Sequence, residues 1–377
     1  MHAFYPQTGP TAKNAGRSRR RTLNELKGLK DSLIDEVRFN CDVSDARYWG
    51  YFSICGLLMS LRVLYLTVND LEPWAQIDRE AISKWITQKE ARWEELEDEN
   101  FRDLNIHGKS YDPFDVIAIN RVLNDEGLVY GAGYGLFNKP SFFLADLHSY
   151  SKTHSCSVYL AKKEYIRDLF TSPGMLQGKQ IFLRLEPLKV LLWDRFLELK
   201  AKSSHSLEYA FLQYGFSADQ AVDEEFKRRF EELTRRYSDI VLYHELGEVM
   251  EEVPDWSEML FEVDTKDAEF FLRAIEDLIS DASDYGPLKW TVENRDKGGL
   301  SLRIALIDRY KAKLHLEIKG AFEEFMRNED WAVIEEARKT VYARLTLLRD
   351  ELLEAYRSKR DKDELIRKVI EIQSRLQ

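Results

Sequence analysis

A chain of 377 residues, 44% hydrophobic and 12% aromatic, is long enough to bury more than one core and too apolar to be disordered throughout. Its 66 acidic against 55 basic residues leave a formal charge of −11, a surface that repels phosphate backbones, so nucleic acid is not an expected partner. Cys41, Cys55 and Cys156 are too few and too scattered for a disulfide framework or a cysteine zinc site, which points to a cytoplasmic location.

Residues 1–21, with Lys13, Arg17, Arg19, Arg20 and Arg21, read as a disordered basic leader kept solvated by its charge. Glu25, Asp31, Asp35 and Glu36 follow where a signal peptide would need an apolar core, so secretion is not expected. Leu26, Leu29, Leu33 and Val37 step by three and four and predict a helix over 22–39. Asp42 or Ser44 is then available to cap a second helix. The apolar run Tyr48 to Val68 approaches the length of a bilayer span, but Arg62 would sit in hydrocarbon at a cost of about 2.5–3.5 kcal/mol. It reads as a buried central helix, and a membrane is not an expected partner. Asp78 opens a third helix over 78–99, and Asp115 caps a short one over 116–124. Capping also explains the Asp112 and Asp115 pair more cheaply than metal ligation does.

From residue 127 the pattern changes. GLVYGAGYGLF, SFFLADL, SCSVYLA and QIFLRL predict four short strands of a small, mainly antiparallel sheet. Gly131, Gly133 and Gly135 are spaced by two and lead into Asn138-Lys139-Pro140 with no helix N-terminus for a phosphate, so they clear one face of a strand for a neighbour. His154 and Cys156 fall on one strand face, yet nothing local orients the imidazole; a polar hairpin loop entering a strand with a buried cysteine accounts for them. Helix returns with Pro187 at a first helical position and dominates to the end, with breaks near 203–205, 215–218, 253–257, 284–288 and 328–331 and a further one offered by Gly298-Gly299. In 360–376, Leu365, Val369, Ile372 and Leu376 form one stripe that packs either on the body of its own chain or on a second subunit of a homo-oligomer, the first being favoured by its short terminal position. The expected fold is α+β and mostly helical: leader 1–21, a mixed helix and sheet domain 22–202, an all-helical domain 203–357, and a terminal amphipathic helix 358–377.

The run Tyr243-His244-Glu245-Leu246-Gly247-Glu248 carries the chemistry. At 3.6 residues per turn it sets His244, Glu248 and Glu251 on one stripe with Glu245 and Glu252 at its edge, opposite Leu242, Leu246 and Val249. It shares the His-Glu opening of the HExxH zinc helix but holds Glu248 where the second histidine would stand. A His/Glu pair at this spacing can hold zinc, iron or manganese, and Glu251 adds an oxygen donor. Further ligands have to come from elsewhere, with His205 and Glu208, or Asp194 and Glu198, as the candidate pairs. Gly247 would let another element approach closely. Without a metal the same residues make an exposed acidic stripe that favours protonated His244.

Across most of residues 25–355 the chain is similar to an uncharacterised bacterial protein family of unknown function, on the evidence of RYWGYFSICGLL, the DPFD of 112–115, GLVYGAGYG and YHELGE. The resemblance implies a bacterial cytoplasmic protein of two domains and assigns no substrate, cofactor or catalytic residue. Two functions are therefore carried forward. The first expectation is a non-enzymatic protein binding a protein partner or small ligand in the crevice between sheet and helices. The alternative is a metal-dependent hydrolase or oxidoreductase, with His244, Glu248, Glu251 and His205 as ligands and Glu245 as general base. The alternative requires the acidic stripe to turn inward into a pocket.

Overall fold

A computed structural model describes residues 23–202, 205–263, 265–307, 309–359 and 362–375, so the basic leader, the break at 203 and 204, and Leu376 lie outside the described residues. Helix α1 runs over Leu23–Tyr48, well past the expected end at 39, and buries Leu33, Val37 and Cys41 against the sheet. Asp42 and Ser44 cap nothing, because each polar residue of this stretch finds a tertiary partner that keeps the backbone helical. Asn40 bonds the backbone of Arg102, Asp42 pairs with Lys89, Ser44 donates to the Pro140 carbonyl, and Asp45 accepts from Leu169 N and pairs with Lys139. Ser53 instead caps α2 (Ile54–Val68) by accepting from Gly56 N. This helix is not the buried central one expected: Leu61, Val63, Leu64 and Leu66 face inward, while Ile54, Leu58 and Met59 are 80%, 51% and 59% exposed. No described helix is long and apolar enough to cross a membrane. Asp78 caps α3 (Arg79–Leu96) as expected.

A hairpin of β1 (Leu104–Ile106) and β2 (Lys109–Tyr111) precedes α4 (Val116–Leu123), which Asp115 caps through Ala118 N while Asp112 accepts from Phe114 N. The main sheet holds β3 (Leu128–Tyr134), β4 (Pro140–Thr153), β5 (Cys156–Arg167), β6 (Gly174–Gln177) and β7 (Gln180–Arg184) in the order β3-β4-β5-β7-β6. It is antiparallel except for the β5/β7 pair, and it curls so that β3 and β6 approach each other. A Cβ at Gly131 would overlap the Phe143 ring, the use expected of the glycine row. His154 and Ser155 form the β4/β5 turn with φ of 46° and 65°, and Cys156 is buried. Tyr130, Phe142, Phe143, Ala161 and Phe182 of the sheet share one core with Leu33 and Val37 of α1 and Val116 and Ile119 of α4. Val158, Ile181 and Leu183 share another with the first helices of the second half.

Those helices are α5 (Leu185–Ala201), α6 (His205–Leu212) and α7 (Glu224–Met250). Helix α5 starts two residues before Pro187, because Arg184 ends β7 and the chain turns helical at once. A further core unites α8 (Pro254–Glu262), α9 (Lys266–Ala282), α10 (Pro287–Asn294), α11 (Lys297–Leu306), Leu314 just after α12 (Arg309–Lys313), α13 (Leu316–Asn328), α14 (Trp331–Lys359) and α15 (Lys362–Arg375). Gly298-Gly299 does not break the chain: Asp296 caps α11 by accepting from Gly299 N, and both glycines sit inside the helix because Tyr214 and Ile240 press close. Helix α15 buries Leu365, Val369 and Ile372 in the core of its own chain, against α9 and α14.

Candidate metal centre

Helix α7 opens at Asp223, whose carboxylate accepts from Phe226 N, and its first half buries Phe226, Phe230, Leu233 and Tyr237 beneath the sheet. Its second half crosses α9. The crossing is close because Gly247 has no side chain: a Cβ there would stand 2.5 Å from the Ser280 carbonyl oxygen. Helix α9 is strongly amphipathic. Leu272, Ile275, Leu278 and Ile279 enter the core shared by α8 to α15, and Arg273, Asp277 and Asp281, four residues apart, stay off that stripe. Asp277 and Asp281 thereby meet His244.

Asp281 organises the site. Its carboxylate, 1% exposed, accepts from Arg303 Nε at 2.9 Å and Arg303 Nη2 at 2.6 Å, and lies 2.8 Å from His244 Nδ1. Burial alone would raise the Asp281 pKa, but the Arg303 charge and then His244 outweigh it and hold the group ionised well below the usual carboxylate range. An ionised acceptor assigns the proton to Nδ1, which leaves Nε2 to face Glu248 Oε1 at 3.4 Å and Asp277 Oδ1 at 3.9 Å. One donor atom from each of His244, Glu248 and Asp277 lies within 4.8 Å of the other two. The other Asp277 oxygen pairs with Lys311. This is a carboxylate-oriented imidazole beside two carboxylates, the pattern by which proteins fix a metal-binding histidine.

Burial and mutual repulsion raise most of the carboxyls around His244. Burial, then the Asp277 charge, pushes Glu245 up to about 8; burial, then Glu245, raises Glu248 well above its normal range; burial, then Asp277, brings Glu276 to about 7. For Asp277 burial acts upward, yet Lys311 and His244 bring it below its usual value. Burial and Arg303 press His244 toward neutrality, and Asp281 and Glu248 reverse this and raise it. Glu245 is 6% exposed and wedged at Gly174, where a Cβ would overlap its carboxylate.

The cluster forms one wall of a cleft of about 1680 Å³ between the sheet domain and the helices. Tyr134 to Leu136 and Leu169 to Leu176 supply the sheet side; α7, α8, α9 and the α11 to α12 segment supply the other. His244, Glu245, Glu248 and Glu252 line it, so the acidic stripe does turn inward. Glu251 does not join them: α7 ends at Met250, and the carboxylate leaves the helical wheel to accept from Tyr342 Oη at 2.9 Å and approach Arg349. His205 opens α6 in an exposed position, and neither it nor Glu208, Asp194 or Glu198 lines the cleft. Asp277, instead, joins His244 and Glu248 in the group of three that could hold a metal ion. Asp277, Asp281 and Arg303 were not singled out from the sequence, although two aspartates one turn apart beside the apolar stripe of an amphipathic helix were a readable signal.

Two family profiles match the chain: the N-terminal domain of the family of unknown function DUF6866 over residues 32–184, and its C-terminal domain over residues 189–373. No curated protein and no solved structure matches it.

Proposed function

The chain belongs to this family of unknown function, and from its geometry we propose that it is a metal-dependent hydrolase in which His244, Glu248 and Asp277 hold one divalent cation at the cleft wall. The observation that carries the reading is the Asp281-fixed imidazole aiming Nε2 at two carboxylates in a cleft roomy enough for a substrate. One nitrogen and two carboxylate oxygens suit zinc, manganese or iron(II). His244, Glu248 and Asp277 would hold the cation, and the chemistry it would supply at the cleft wall is to acidify a water and polarise an ester. Glu245 exchanges the proton: it is one residue from a ligand, lines the cleft and is shielded from bulk water. A purely binding protein also has use for the cleft, but it needs no proton-exchanging carboxyl beside a cation. This favours catalysis.

The test is to strip the protein with a chelator, titrate Zn²⁺, Mn²⁺ and Fe²⁺ back by calorimetry, and assay ester hydrolysis before and after. Activity should require the ion, and Glu245→Gln should retain the ion while losing about 10²- to 10⁴-fold in kcat. Activity indifferent to the ion, or full activity in Glu245→Gln, would contradict the assignment.

A further inference from the structure

We propose that the substrate is a phosphoester of an apolar or aromatic alcohol, with its phosphate held between the cation and Lys311 and its alcohol arm lying along the apolar wall of the cleft. The proposal rests on the metal reading above. The placing of Lys311 and Lys313 leads to it. Glu248 and Asp277 would offset a divalent ion, Asp281 is paired with Arg303, and Glu245, Glu252, Asp267 and Glu276 also line the cleft. Lys311 shares the Asp277 carboxylate with the ion site, one oxygen facing the ammonium and the other facing His244 Nε2. An oxyanion bound to an ion held there would have the Lys311 ammonium close by, and Lys313, exposed, lines the same cleft. A metal and an ammonium converging on one group suit an oxyanion that is present before the reaction as well as during it. A neutral ester or amide offers no such charge.

Part of the cleft lining is apolar, beside polar Asn138, Thr171, Ser172 and Ser257 and charged Asp267 and Arg273. Leu136, Phe170, Leu260, Phe261 and Phe270 form the apolar part, with Phe261 and Phe270 as much as 70% and 42% exposed. Phe52 and Ser60 carry the lining to the segment of Ile54, Leu58 and Met59, whose side chains are also exposed. A volume of about 1680 Å³ exceeds what a small metabolite fills, since drug-sized ligands occupy about 300–1,000 Å³. In the reaction the oxygen of water bonds to phosphorus and the bond from phosphorus to the alcohol oxygen breaks. Glu245 gives its proton to the departing alkoxide and takes up the one that the water loses, giving the free alcohol and phosphate with no change of oxidation state.

The experiment uses the full chain loaded with the ion, with metal content measured on every sample. Calorimetry compares phenyl phosphate, octyl phosphate, inorganic phosphate and octanoate; assays compare 4-nitrophenyl phosphate with 4-nitrophenyl acetate. One or both organic phosphates should bind at least about tenfold tighter than inorganic phosphate or octanoate, Lys311→Gln and Lys313→Gln should each weaken them by about tenfold, and Lys311→Arg should restore them. Preference for octyl phosphate marks an alkyl arm and preference for phenyl phosphate an aromatic one. The phosphate should be hydrolysed and the acetate left intact. Loaded protein that binds octanoate as tightly as octyl phosphate, ignores both organic phosphates, or turns over only the acetate overturns the substrate class while leaving the metal site standing. Protein that takes up no ion overturns both.

Discussion

Asp281 is the residue on which the site depends, although it is not a ligand. It neutralises Arg303, fixes the His244 tautomer, and is buried, so Asp281→Asn leaves a guanidinium without its counter-charge. Breaking a buried pair in this way costs about 3–5 kcal/mol, read by urea unfolding. Losing the carboxylate behind a metal-binding histidine costs about 10- to 100-fold in metal affinity, read by titration. The protons of the cluster make a second prediction. Glu245 and Glu276 titrate at about 8 and about 7 in the folded chain against 4.5 unfolded, and His244 is raised above 6.5. Between pH 4.5 and 8 the folded state thus holds more protons than the unfolded one, so stability contributed by these groups falls as pH rises through that window. Metal-free protein should unfold at lower urea at pH 8 than at pH 6, and zinc should remove the difference because the ion replaces the protons. An unchanged pH difference with zinc bound would detach these groups from the ion site. The sequence offered His244, Glu245 and Glu248 because their spacing is local. Asp281 and Arg303 lie 37 and 59 residues from His244, and no local period says which helices will cross. Glu251 was placed on the stripe because a helical wheel has no knowledge of where its helix ends.

At the scale of elements, the α7/α9 crossing sets the distance from His244 to Asp277. Gly247→Ala would push a methyl group against the Ser280 carbonyl, and backbone yields less readily than a flexible side chain. Overpacking of this kind costs about 1–3 kcal/mol. It should also weaken metal binding, since Asp277 moves with α9. A variant with normal affinity would show that the crossing has slack. The close approach at Gly247 and the packing role of the glycine row were both legible, because a glycine in a helix or strand has few other uses. The extent of α1 was not. Asn40, Asp42, Ser44 and Asp45 form a run of helix-ending residues, and they stay helical through bonds to Arg102, Lys89, Pro140 and Leu169, none of which is near in sequence. The exposed face of α2 was hidden for the opposite reason: an apolar run looks the same whether it faces a core or solvent.

At the scale of the whole molecule, the sheet-bearing N-terminal region and the all-helical C-terminal region follow from composition shifts in the chain; one family profile ends at residue 184 with β7 and the other begins at 189 within α5, where the sequence pattern sets a boundary at 202. What the sequence left open was how the two halves face each other. Their meeting makes the cleft, gives the acidic stripe a function-bearing surface, and supplies apolar sheet-side walls that no helical motif announces. The most direct measurement is the metal content of the purified, untagged protein by elemental mass spectrometry, beside Asp277→Ala, His244→Ala and, as controls, Glu251→Ala and His205→Ala. A near-stoichiometric zinc, manganese or iron ion is predicted in the parent and both controls and lost from the first two variants. An ion unaffected by Asp277→Ala and His244→Ala, or none taken up by the parent when each metal is offered, would contradict the site.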